Sequence, residues 1–209
     1  MDFTAFVLSH LPPAPARVLE VGAGRGDLTR ALAGAGHDAL GIDPAAPAED
    51  GFRRIKLEDL EDEETFDAVV ASHTLHHVTD VDIALDRIAA HLRPGGRLIV
   101  DEQGWDLLDD ATAEWYWGQR RVLAAVRGEQ APTSVDALWE EWRADHVGLH
   151  GYARLRDELD RRFREVHFAW EPLLHRLLHG VASESLERSL IEAGAIQPLG
   201  FRYVGERAA

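Results

Sequence analysis

Three glycines at alternate positions follow directly on a short apolar run, and this junction constrains the fold more than any other part of the sequence. The run 17–21 has the length and composition of a buried strand, and Gly22, Gly24 and Gly26 come immediately after it. Glycine permits a sharp turn and lets a ligand approach the main chain closely. A helical pattern begins after Asp27, and the first turn of a helix offers unpaired N–H groups. The junction predicts a strand–turn–helix unit with a binding loop at the turn.

Strands and helices continue to alternate along the first half of the chain. Further strands are predicted at 38–43, 52–57, 66–72 and 97–101, and helices at 28–34 and 81–92. Pro44 ends the second strand because proline lacks an amide donor, and a Pro-Gly-Gly turn precedes the fifth. Such alternation is typical of a parallel sheet covered by helices on both faces.

The alternation stops after Asp101, and residues 103–151 contain no apolar strand run. Helices are predicted at 111–126, 134–146, 155–163 and 186–193, and strands at 165–170 and 197–205. The closing strand–helix–strand order predicts an antiparallel edge to the sheet. We expect a single domain, 1–209, made of an N-terminal helix (1–16), a ligand-binding core (17–103), a helical insertion or lid (104–151) and a C-terminal completion of the sheet (152–209).

The composition excludes several classes of chemistry. The chain has 209 residues, 45% hydrophobic and 28% charged, which is typical of a soluble globular domain with a substantial core. The absence of cysteine excludes thiolate catalysis, zinc–cysteine sites and disulfides. A net charge of −15 disfavours nucleic acid as the main ligand, because phosphate is repelled by an acidic surface. With neither a signal peptide nor an apolar stretch of the ~20 residues that a membrane helix needs, the sequence predicts a cytoplasmic protein without a membrane partner.

An acidic residue ends the second predicted strand, at the edge where ligands bind in such sheets. There, Asp43 can bind both hydroxyls of a ribose. A dinucleotide loop would have the pattern G-x-G-x-x-G, whereas this loop is G-x-G-x-G and Asp27 stands in place of the third glycine. Asp27 and Glu20 would repel a pyrophosphate, so the loop favours a ligand that lacks phosphate there or bears positive charge. A nicotinamide-dependent oxidoreductase is therefore the weaker alternative.

Five blocks of the sequence, in order and at matching spacing, resemble the class I S-adenosylmethionine-dependent methyltransferases. The blocks are 18–26, 41–43, 66–72, 75–78 and 92–98, and the tail 191–203 is similar to the closing helix and strand of that family. The resemblance implies a Rossmann-like α/β fold with a seven-stranded, mostly parallel sheet, helices on both faces, an antiparallel last strand and a helical lid insertion. It also implies S-adenosylmethionine as the cofactor and S-adenosylhomocysteine as the product.

The resemblance also implies the cofactor site, residue by residue. Glu20 and the glycine loop would hold the methionine part, Asp43 the ribose diol, and an acid after the third strand the adenine amino group. Glu58 fits that last place slightly better than Asp59. The predicted cofactor-binding residues are Glu20, Gly22, Ala23, Gly24, Gly26, Asp43, Pro44, Glu58, Asp59, Ala71 and Ser72.

Three histidines, at positions 73, 76 and 77, follow the fourth strand. We predict that His76 or His73 faces the methyl acceptor and takes its proton, with His146 as a further candidate base. The alternative is a structural histidine that caps the next helix or packs beneath the cofactor. The H-x-x-H-H spacing matches no zinc pattern, and no metal is expected.

Five of the six tryptophans fall in the segment that interrupts the sheet: Trp105, Trp115, Trp117, Trp139 and Trp142. Spacings of three and four residues place the last two on one helical face with His146 and His150. One interpretation is a helical subdomain that uses tryptophan as its core. The other is a lid whose aromatic wall forms a pocket for a planar, apolar or amine acceptor. The predicted substrate-binding residues are Trp105, Trp115, Tyr116, Trp142 and His150.

These features together predict a methyltransferase that acts, without a metal, on an oxygen, nitrogen or carbon atom of a small molecule. The sulfonium of the implied cofactor is already an activated methyl donor, so the protein need only align the reactants, exclude water and in some cases supply a base. The alternatives are a protein methyltransferase and a non-catalytic scaffold that binds S-adenosylmethionine. No nucleic-acid partner is expected, and both a monomer and a homodimer fit the sequence.

Overall fold

The computed structural model describes residues 2–60, 64–178 and 183–207. They form two compact units. The first, here called the sheet unit, comprises the described residues of Met1–Glu102, Ala153–Ala169 and Arg202–Ala209, and the second, the helical unit, those of Gln103–Tyr152 and Trp170–Phe201. Within the described ranges, no helix has the length and apolar character required to cross a membrane.

The described residues form one seven-stranded sheet with the strand order β3-β2-β1-β4-β5-β7-β6. The strands are β1 (Arg17–Val21), β2 (Asp38–Ile42), β3 (Phe52–Arg53), β4 (Phe66–Ser72), β5 (Leu92–Gln103), β6 (Phe163–Glu171) and β7 (Gly200–Arg207). β1 pairs in parallel with β2 and β4, and β4 pairs in parallel with β5. The last strands are antiparallel, which confirms the predicted mixed, mostly parallel sheet.

The strand order reverses between β1 and β4, and this reversal positions the candidate site. In open α/β sheets, ligands bind outside the carboxyl ends of the strands on either side of such a reversal. The loop after β1 begins with Gly22, and the loop after β4 begins with His73. β2, which lies next to β1, ends at Ile42 and brings Asp43 to the same edge.

Helices occupy most of the remaining described residues. They are α1 (Phe3–His10), α2 (Asp27–Gly34), α3 (Val81–His91), α4 (Asp110–Arg127), α5 (Val135–Asp145), α6 (Tyr152–Arg162), α7 (Leu174–Leu177) and α8 (Glu184–Glu192), with 3₁₀ turns at Leu57–Asp59, Leu75–His77 and Trp105–Leu107. Side-chain caps fix four of the described helix starts, since Asp2, Asp80, Asp109 and Ser134 each accept a main-chain N–H of the first turn. The short helix α7 was not predicted from the sequence.

Several strands differ from their predicted extents, and β3 and β5 do so by four residues or more at one end. β3 covers only Phe52–Arg53, because the chain then leaves the sheet for the turn Leu57–Asp59. β5 begins at Leu92, earlier than expected, and residues 93–96 bulge out of its pairing with β4. Gly95, with φ 74°, permits this bulge.

A cluster of buried apolar side chains joins α1, α2 and one face of the sheet. Its members are Phe6, Val7, Leu11, Ala16, Val18, Leu28, Leu32, Ala68, Val70, Ile99 and Val204. At roughly 25 cal/mol for each Å² of apolar surface removed from water, this burial stabilises the packing of α1 and α2 on the sheet. It also fixes α2 against β1, on either side of the glycine loop.

The helical unit has an apolar core of its own. Its buried members are Leu108, Ala113, Tyr116, Leu138, Trp142, Leu173, Leu174, Leu178 and Leu199, with Trp105, Leu107, Trp115, Trp117, Leu123, Val135 and Trp139 partly buried against them. Trp142 is thus a core residue of the helical unit and four further tryptophans pack against that core, which favours the interpretation as a helical subdomain; the lid stays a prediction. The segment that we expected only to complete the sheet contributes four of the buried leucines, at positions 173, 174, 178 and 199.

A buried carboxylate organises the second segment of the helical unit. Glu187 on α8 accepts hydrogen bonds from the main-chain N–H groups of Leu173 and Leu174, both at 2.8 Å, and of His175 at 2.7 Å. These bonds satisfy free N–H groups at the start of α7. Glu187 therefore fixes α7 against α8.

Candidate functional site

The glycine loop has a backbone conformation that favours glycine at each of its three positions. The φ angles of Gly22, Gly24 and Gly26 are 77°, 50° and 82°. The N–H groups of Gly22 and Ala23 both donate to the carbonyl of Ile42, at 2.9 and 3.1 Å. The start of the loop is thus tied to the end of β2.

The ring of Phe52 lies against the main chain at this edge of the sheet. A Cβ atom on Gly41 would lie 2.8 Å from the ring, and one on Gly26 would overlap it. Two glycines in different elements are therefore needed for Phe52 to pack here. The contact brings β3 close to the beginning of α2.

The carboxylate of Asp43 joins the glycine loop to the turn after β2. Its Oδ2 accepts the Gly24 N–H at 3.2 Å, and its Oδ1 accepts the Ala45 N–H at 2.7 Å. Each carboxylate oxygen can accept more than one hydrogen bond, so both retain capacity for a ligand. Asp43 is therefore fixed at the mouth of the loop as a hydrogen-bond acceptor.

Glu20, in β1, is buried behind the loop, and its Oε2 accepts a hydrogen bond from the Thr29 hydroxyl of α2. Burial raises the pKa of Glu20 to about 7, the hydrogen bonds from Thr29 oppose this rise, and the charges of Asp27 and Asp43 add to it. Three acids therefore surround the loop, which favours a ligand with positive charge.

A cavity of about 260 Å³ lies in the sheet unit, at the carboxyl ends of β1, β2 and β4. Its walls are formed by Val21, Gly22, Ile42, Asp43, Pro44, Ile55, Lys56, Leu57, Glu58, Thr74, His77, Val78 and Thr79. The walls combine apolar side chains with two carboxylates, those of Asp43 and Glu58. Such a cavity fits a flat apolar ring that bears polar groups.

Four of the predicted cofactor-binding residues line this cavity: Gly22, Asp43, Pro44 and Glu58. The others lie around it without forming its wall. Glu20, Ala23, Gly26 and Ala71 are buried, Ser72 is half-buried, and Gly24 and Asp59 are exposed. Their roles stay predictions, whereas the geometry of the four lining residues fits the expected site.

Several cavity residues were not singled out by sequence reasoning. Ile55, Lys56 and Leu57 follow the short strand β3, and Thr74, His77, Val78 and Thr79 follow β4. The apolar block after β4, which carried part of the resemblance, was a usable signal for His77 and Val78. No comparable signal marked Lys56, the single lysine of the chain.

Glu102, near the end of β5, organises the loop after β4. Its Oε1 accepts the main-chain N–H groups of Thr74 and Leu75, at 2.7 and 2.6 Å, and its Oε2 lies 2.5 Å from Nδ1 of His76. The carboxylate is buried, and hydrogen bonds to an ionised acceptor are among the stronger ones. Glu102 thereby fixes the segment that presents Thr74 and His77 to the cavity.

The three histidines of this loop have different surroundings. His76 is buried beside Glu102, whereas His77 is exposed and lines the cavity, with the two rings 4.0 Å apart. His73 has φ 48°, and its Nε2 lies 3.7 Å from Oδ2 of Asp101. A positive φ at a non-glycine residue is uncommon and often accompanies function. Proton transfer by His73 or His76 stays a prediction.

In the helical unit, predicted acceptor residues are packed against one another. Trp142 is buried and donates its Nε1–H to the carbonyl of Trp105 at 3.0 Å, while Trp105 donates to the carbonyl of His150 at 3.3 Å. The buried ring of His146 lies 5.2 Å from that of Trp105 and 4.3 Å from that of Trp142. His146 also places Nδ1 2.6 Å from the carbonyl of Trp142. These residues form one aromatic layer in the core of the helical unit.

Two residues of α4 complete this layer. The buried ring of Tyr116 lies edge-on to Trp142 at 6.1 Å, and burial raises the pKa of its phenol. Trp115 is partly buried at the same core. Acceptor binding by these aromatic residues stays a prediction.

Across the described part of the chain, no three His, Asp or Glu residues are grouped so that they could hold a metal ion.

Comparisons with known proteins were made with both the sequence and the structure. A family model described as a methyltransferase domain matches residues 1–194. A ubiquinone biosynthesis O-methyltransferase of Bradyrhizobium sp. (strain ORS 278) is 36% identical over 97 residues, which are 40% of this chain and 38% of that protein. The human mitochondrial ubiquinone biosynthesis O-methyltransferase is 35% identical over 113 residues, 44% of this chain and 31% of its own. The matches thus span well under half the length of these relatives.

Solved structures show the same fold. An S-adenosylmethionine-dependent methyltransferase from Mesorhizobium loti aligns with a TM-score of 0.60 and 18% identity, over 97% of this chain and 96% of that one. The 1,6-didemethyltoxoflavin-N1-methyltransferase of Burkholderia thailandensis, solved with 1,6-didemethyltoxoflavin and S-adenosylhomocysteine, aligns with a TM-score of 0.59 and 18% identity, over 99% of this chain and 76% of that one.

Proposed function

The chain belongs to the S-adenosylmethionine-dependent methyltransferases, and we propose that it transfers the methyl group of this cofactor to an oxygen atom of a small-molecule acceptor. S-adenosylmethionine is the cofactor, and S-adenosylhomocysteine is the product. The observation that carries the proposal is the cavity between the ends of β1, β2 and β4, with a glycine loop and Asp43 at its mouth.

The cavity would hold the adenosine part of the cofactor. Asp43 would accept hydrogen bonds from the ribose diol, for which both of its oxygens retain capacity. Glu58 would accept a hydrogen bond from the adenine amino group, and Ile55 and Leu57 offer apolar surface for the ring. The methionine part would lie along the glycine loop, in front of Glu20.

The charges around the loop support a cationic ligand. Glu20, Asp27 and Asp43 are all acids, and the cofactor carries a sulfonium and an ammonium group. A dinucleotide would bring a pyrophosphate to the start of α2, where Asp27 lies in the first turn and would repel it. The same acids therefore favour S-adenosylmethionine over a nicotinamide cofactor.

The proposed acceptor is supported by the curated relatives. Those relatives are O-methyltransferases of ubiquinone biosynthesis, and this supports oxygen as the target atom and a small molecule as the acceptor. The proposal retains the predicted acceptor residues Trp105, Trp115, Tyr116, Trp142 and His150. The partly buried rings of Trp105 and Trp115 offer surface on which a planar acceptor could stack, and the buried rings of Tyr116 and Trp142 would support that surface from the core.

When bound, the cofactor supplies a methyl group already activated by its sulfonium. The chain has to align the acceptor oxygen with that methyl, exclude water and receive the hydroxyl proton. His73 or His76 would receive the proton at an imidazole nitrogen. His73 is half exposed beside Asp101, and His76 is held by Glu102, so each imidazole has a carboxylate beside it.

Calorimetric titration with S-adenosylhomocysteine tests the cofactor site. We expect binding by the wild type, a loss of affinity of at least about tenfold in Asp43→Ala, and no effect of Asp50→Ala, an exposed acid of the following loop. No binding by the wild type, or equal affinity in Asp43→Ala, would contradict the assignment.

Transfer of labelled methyl from S-adenosylmethionine to catechols and hydroxybenzoates tests the acceptor class. Label recovered only in protein would contradict a small-molecule acceptor.

A further inference from the structure

Two acidic side chains act on the carboxyl group of Glu20, and the residues paired with Glu20 on the neighbouring strands carry no charge. Its partners on the neighbouring strands are Gly41 of β2 and Val70 of β4, neither of which titrates. The charged side chains that act on it are Asp27, at the start of α2, and Asp43, after β2. Both repel a negative charge on Glu20, and burial removes the water that would stabilise such a charge.

Thr29 is the residue that opposes these effects. Its hydroxyl donates to Oε2 of Glu20, and the hydroxyl and the main-chain N–H of Thr29 both act to lower the pKa of that carboxyl group. Both groups belong to the first turn of α2, where free N–H groups give the helix a partial positive charge. Thr29 is the residue whose replacement would change the charge of Glu20 without removing the carboxyl group.

The Thr29 hydroxyl is held in a confined space. Thr29 is 2% exposed, and a Cβ atom on Gly41 would lie 2.6 Å from its Oγ1. Gly41 therefore leaves just enough room for this hydroxyl between α2 and β2. The arrangement of Glu20, Thr29 and Gly41 fixes the direction in which the carboxyl group is held.

We propose that Thr29 is a positioning residue for cofactor binding: it holds Glu20 so that the ionised carboxylate receives the ammonium group of the cofactor, and binding releases one proton from Glu20. The inference rests on the proposed function, because it requires that the methionine part lie in front of Glu20. The proton passes to solvent when the carboxyl group ionises, and no bond to carbon is made or broken.

The proposal predicts both the direction and the size of the change in ligand affinity with pH. With a pKa of about 7, only about 3% of the free protein carries an ionised Glu20 at about pH 5.5. If that form alone receives the ammonium group, the affinity is about 30-fold weaker there than at about pH 8. The amino group of the ligand loses its own proton at high pH, which would weaken binding. A rise of affinity with pH therefore cannot come from the ligand.

The experiment compares two ligands by calorimetry between about pH 5.5 and about pH 8. S-adenosylhomocysteine carries the ammonium group, whereas 5′-methylthioadenosine has the adenosine part and lacks the amino acid. For the wild type we expect the affinity for S-adenosylhomocysteine to increase about 30-fold across this range, with proton release seen by repeating the titration in buffers of different ionisation enthalpy. The affinity for 5′-methylthioadenosine should stay constant.

Variants of Thr29 separate a positioning role from a structural one. Thr29→Val removes the hydroxyl donor, so the increase in affinity should move to higher pH, and Thr29→Ser, which keeps the donor, should restore the wild-type profile. Glu20→Gln should bind S-adenosylhomocysteine weakly and without pH dependence. If Thr29→Val does not fold, the pH profile of Glu20→Gln still tests the proposal.

The contradicting outcomes are distinct. A wild-type affinity for S-adenosylhomocysteine that does not change with pH would overturn the proposal. An equal loss of affinity for both ligands at every pH in Thr29→Val would assign Thr29 a structural role only. Failure of the wild type to bind either ligand would instead overturn the proposed function.

Discussion

Gly22 and Thr74 lie so close together that a Cβ atom on Gly22 would overlap the Thr74 hydroxyl oxygen. That oxygen lies within hydrogen-bond distance of the carbonyls of Val21, at 3.3 Å, and Ser72, at 2.9 Å. The contact joins the loop after β1 to the loop after β4, on the two sides of the strand-order reversal. Both residues also line the cavity.

Gly22→Ala should disrupt this junction. The new methyl group would push Thr74 away, and alanine at φ 77° would cost about 1–2 kcal/mol in backbone strain. We expect the affinity for S-adenosylhomocysteine to fall by more than about tenfold in calorimetric titration. Gly24→Ala is the matched control, because φ is also positive there but a Cβ atom would meet open space. Equal affinities of the two variants would contradict this explanation.

Glu102→Gln should loosen the loop after β4. The amide is neutral and its oxygen replaces only one carboxylate oxygen, so either the N–H groups of Thr74 and Leu75 or Nδ1 of His76 would face an NH₂ group in place of an oxygen. We expect a loss of about 2–4 kcal/mol in the free energy of unfolding, measured with urea. The affinity for S-adenosylhomocysteine should fall as well, because this loop forms part of the cavity wall.

Glu187→Gln in the helical unit provides the control for this prediction. Glu187 is also a buried carboxylate that accepts several main-chain N–H groups, so its replacement should lower stability to a similar extent. It does not line the cavity, and the affinity for S-adenosylhomocysteine should remain unchanged. A comparable loss of affinity in both variants would show that the effect of Glu102→Gln comes from general destabilisation.

Local signals were sufficient to predict the fold and one side of the site. The apolar strands, the glycines after β1 and the proline after β2 each act within a few residues, and the alternation of strands and helices predicts a mostly parallel sheet. Asp43 could be predicted in the same way, since it follows a strand whose end lies at the binding edge, whereas Glu58 was implied only by the family resemblance; both residues line the cavity.

Contacts between distant residues account for what the sequence did not reveal. His76 and His77 are adjacent in a 3₁₀ turn, and nothing local indicates which of them is buried. The choice depends on Glu102, which lies in another strand and pairs with His76. In the same way, α7 depends on hydrogen bonds that its first main-chain N–H groups donate to Glu187 of a later helix. Lys56 reaches the cavity only because β3 ends early.

The raised pKa of Glu20 predicts a pH dependence of stability. The folded-state pKa of about 7 lies above the value of 4.5 for an unperturbed glutamate, so this contribution to stability is fully present below about pH 4.5. It is lost as the pH rises through 7, by about 3 kcal/mol in total. Glu20→Gln removes the titration. The free energy of unfolding of this variant, minus that of the wild type, should therefore increase between about pH 5 and about pH 8.

Urea unfolding of the two proteins without cofactor measures this difference directly. Other titrating groups affect both proteins alike and cancel in the comparison. Wild type and Glu20→Gln with parallel pH profiles would contradict a near-neutral pKa for Glu20. Such a result would also remove the main support for proton release on cofactor binding.

Trp142→Ala should destabilise the helical unit. The side chain is buried, packs against His146 and Tyr116, and donates to the carbonyl of Trp105, so its removal leaves a cavity and takes one of two hydrogen bonds from that carbonyl, which also accepts the Leu108 N–H. We expect a loss of about 3–5 kcal/mol, measured by urea unfolding. Trp139→Ala is the control: this ring is only partly buried and has Arg143 over its face, and we expect less than about half the loss.

Trp142→Ala also tests whether cofactor affinity depends on the core of the helical unit. Every residue that lines the cavity belongs to the sheet unit. Under conditions in which Trp142→Ala remains folded, its affinity for S-adenosylhomocysteine should therefore stay within about twofold of the wild type. Methyl transfer to an acceptor should fall, because Trp142 holds Trp105, which is part of the proposed acceptor surface. Loss of S-adenosylhomocysteine binding in a folded Trp142→Ala protein would mean that the helical unit takes part in holding the cofactor.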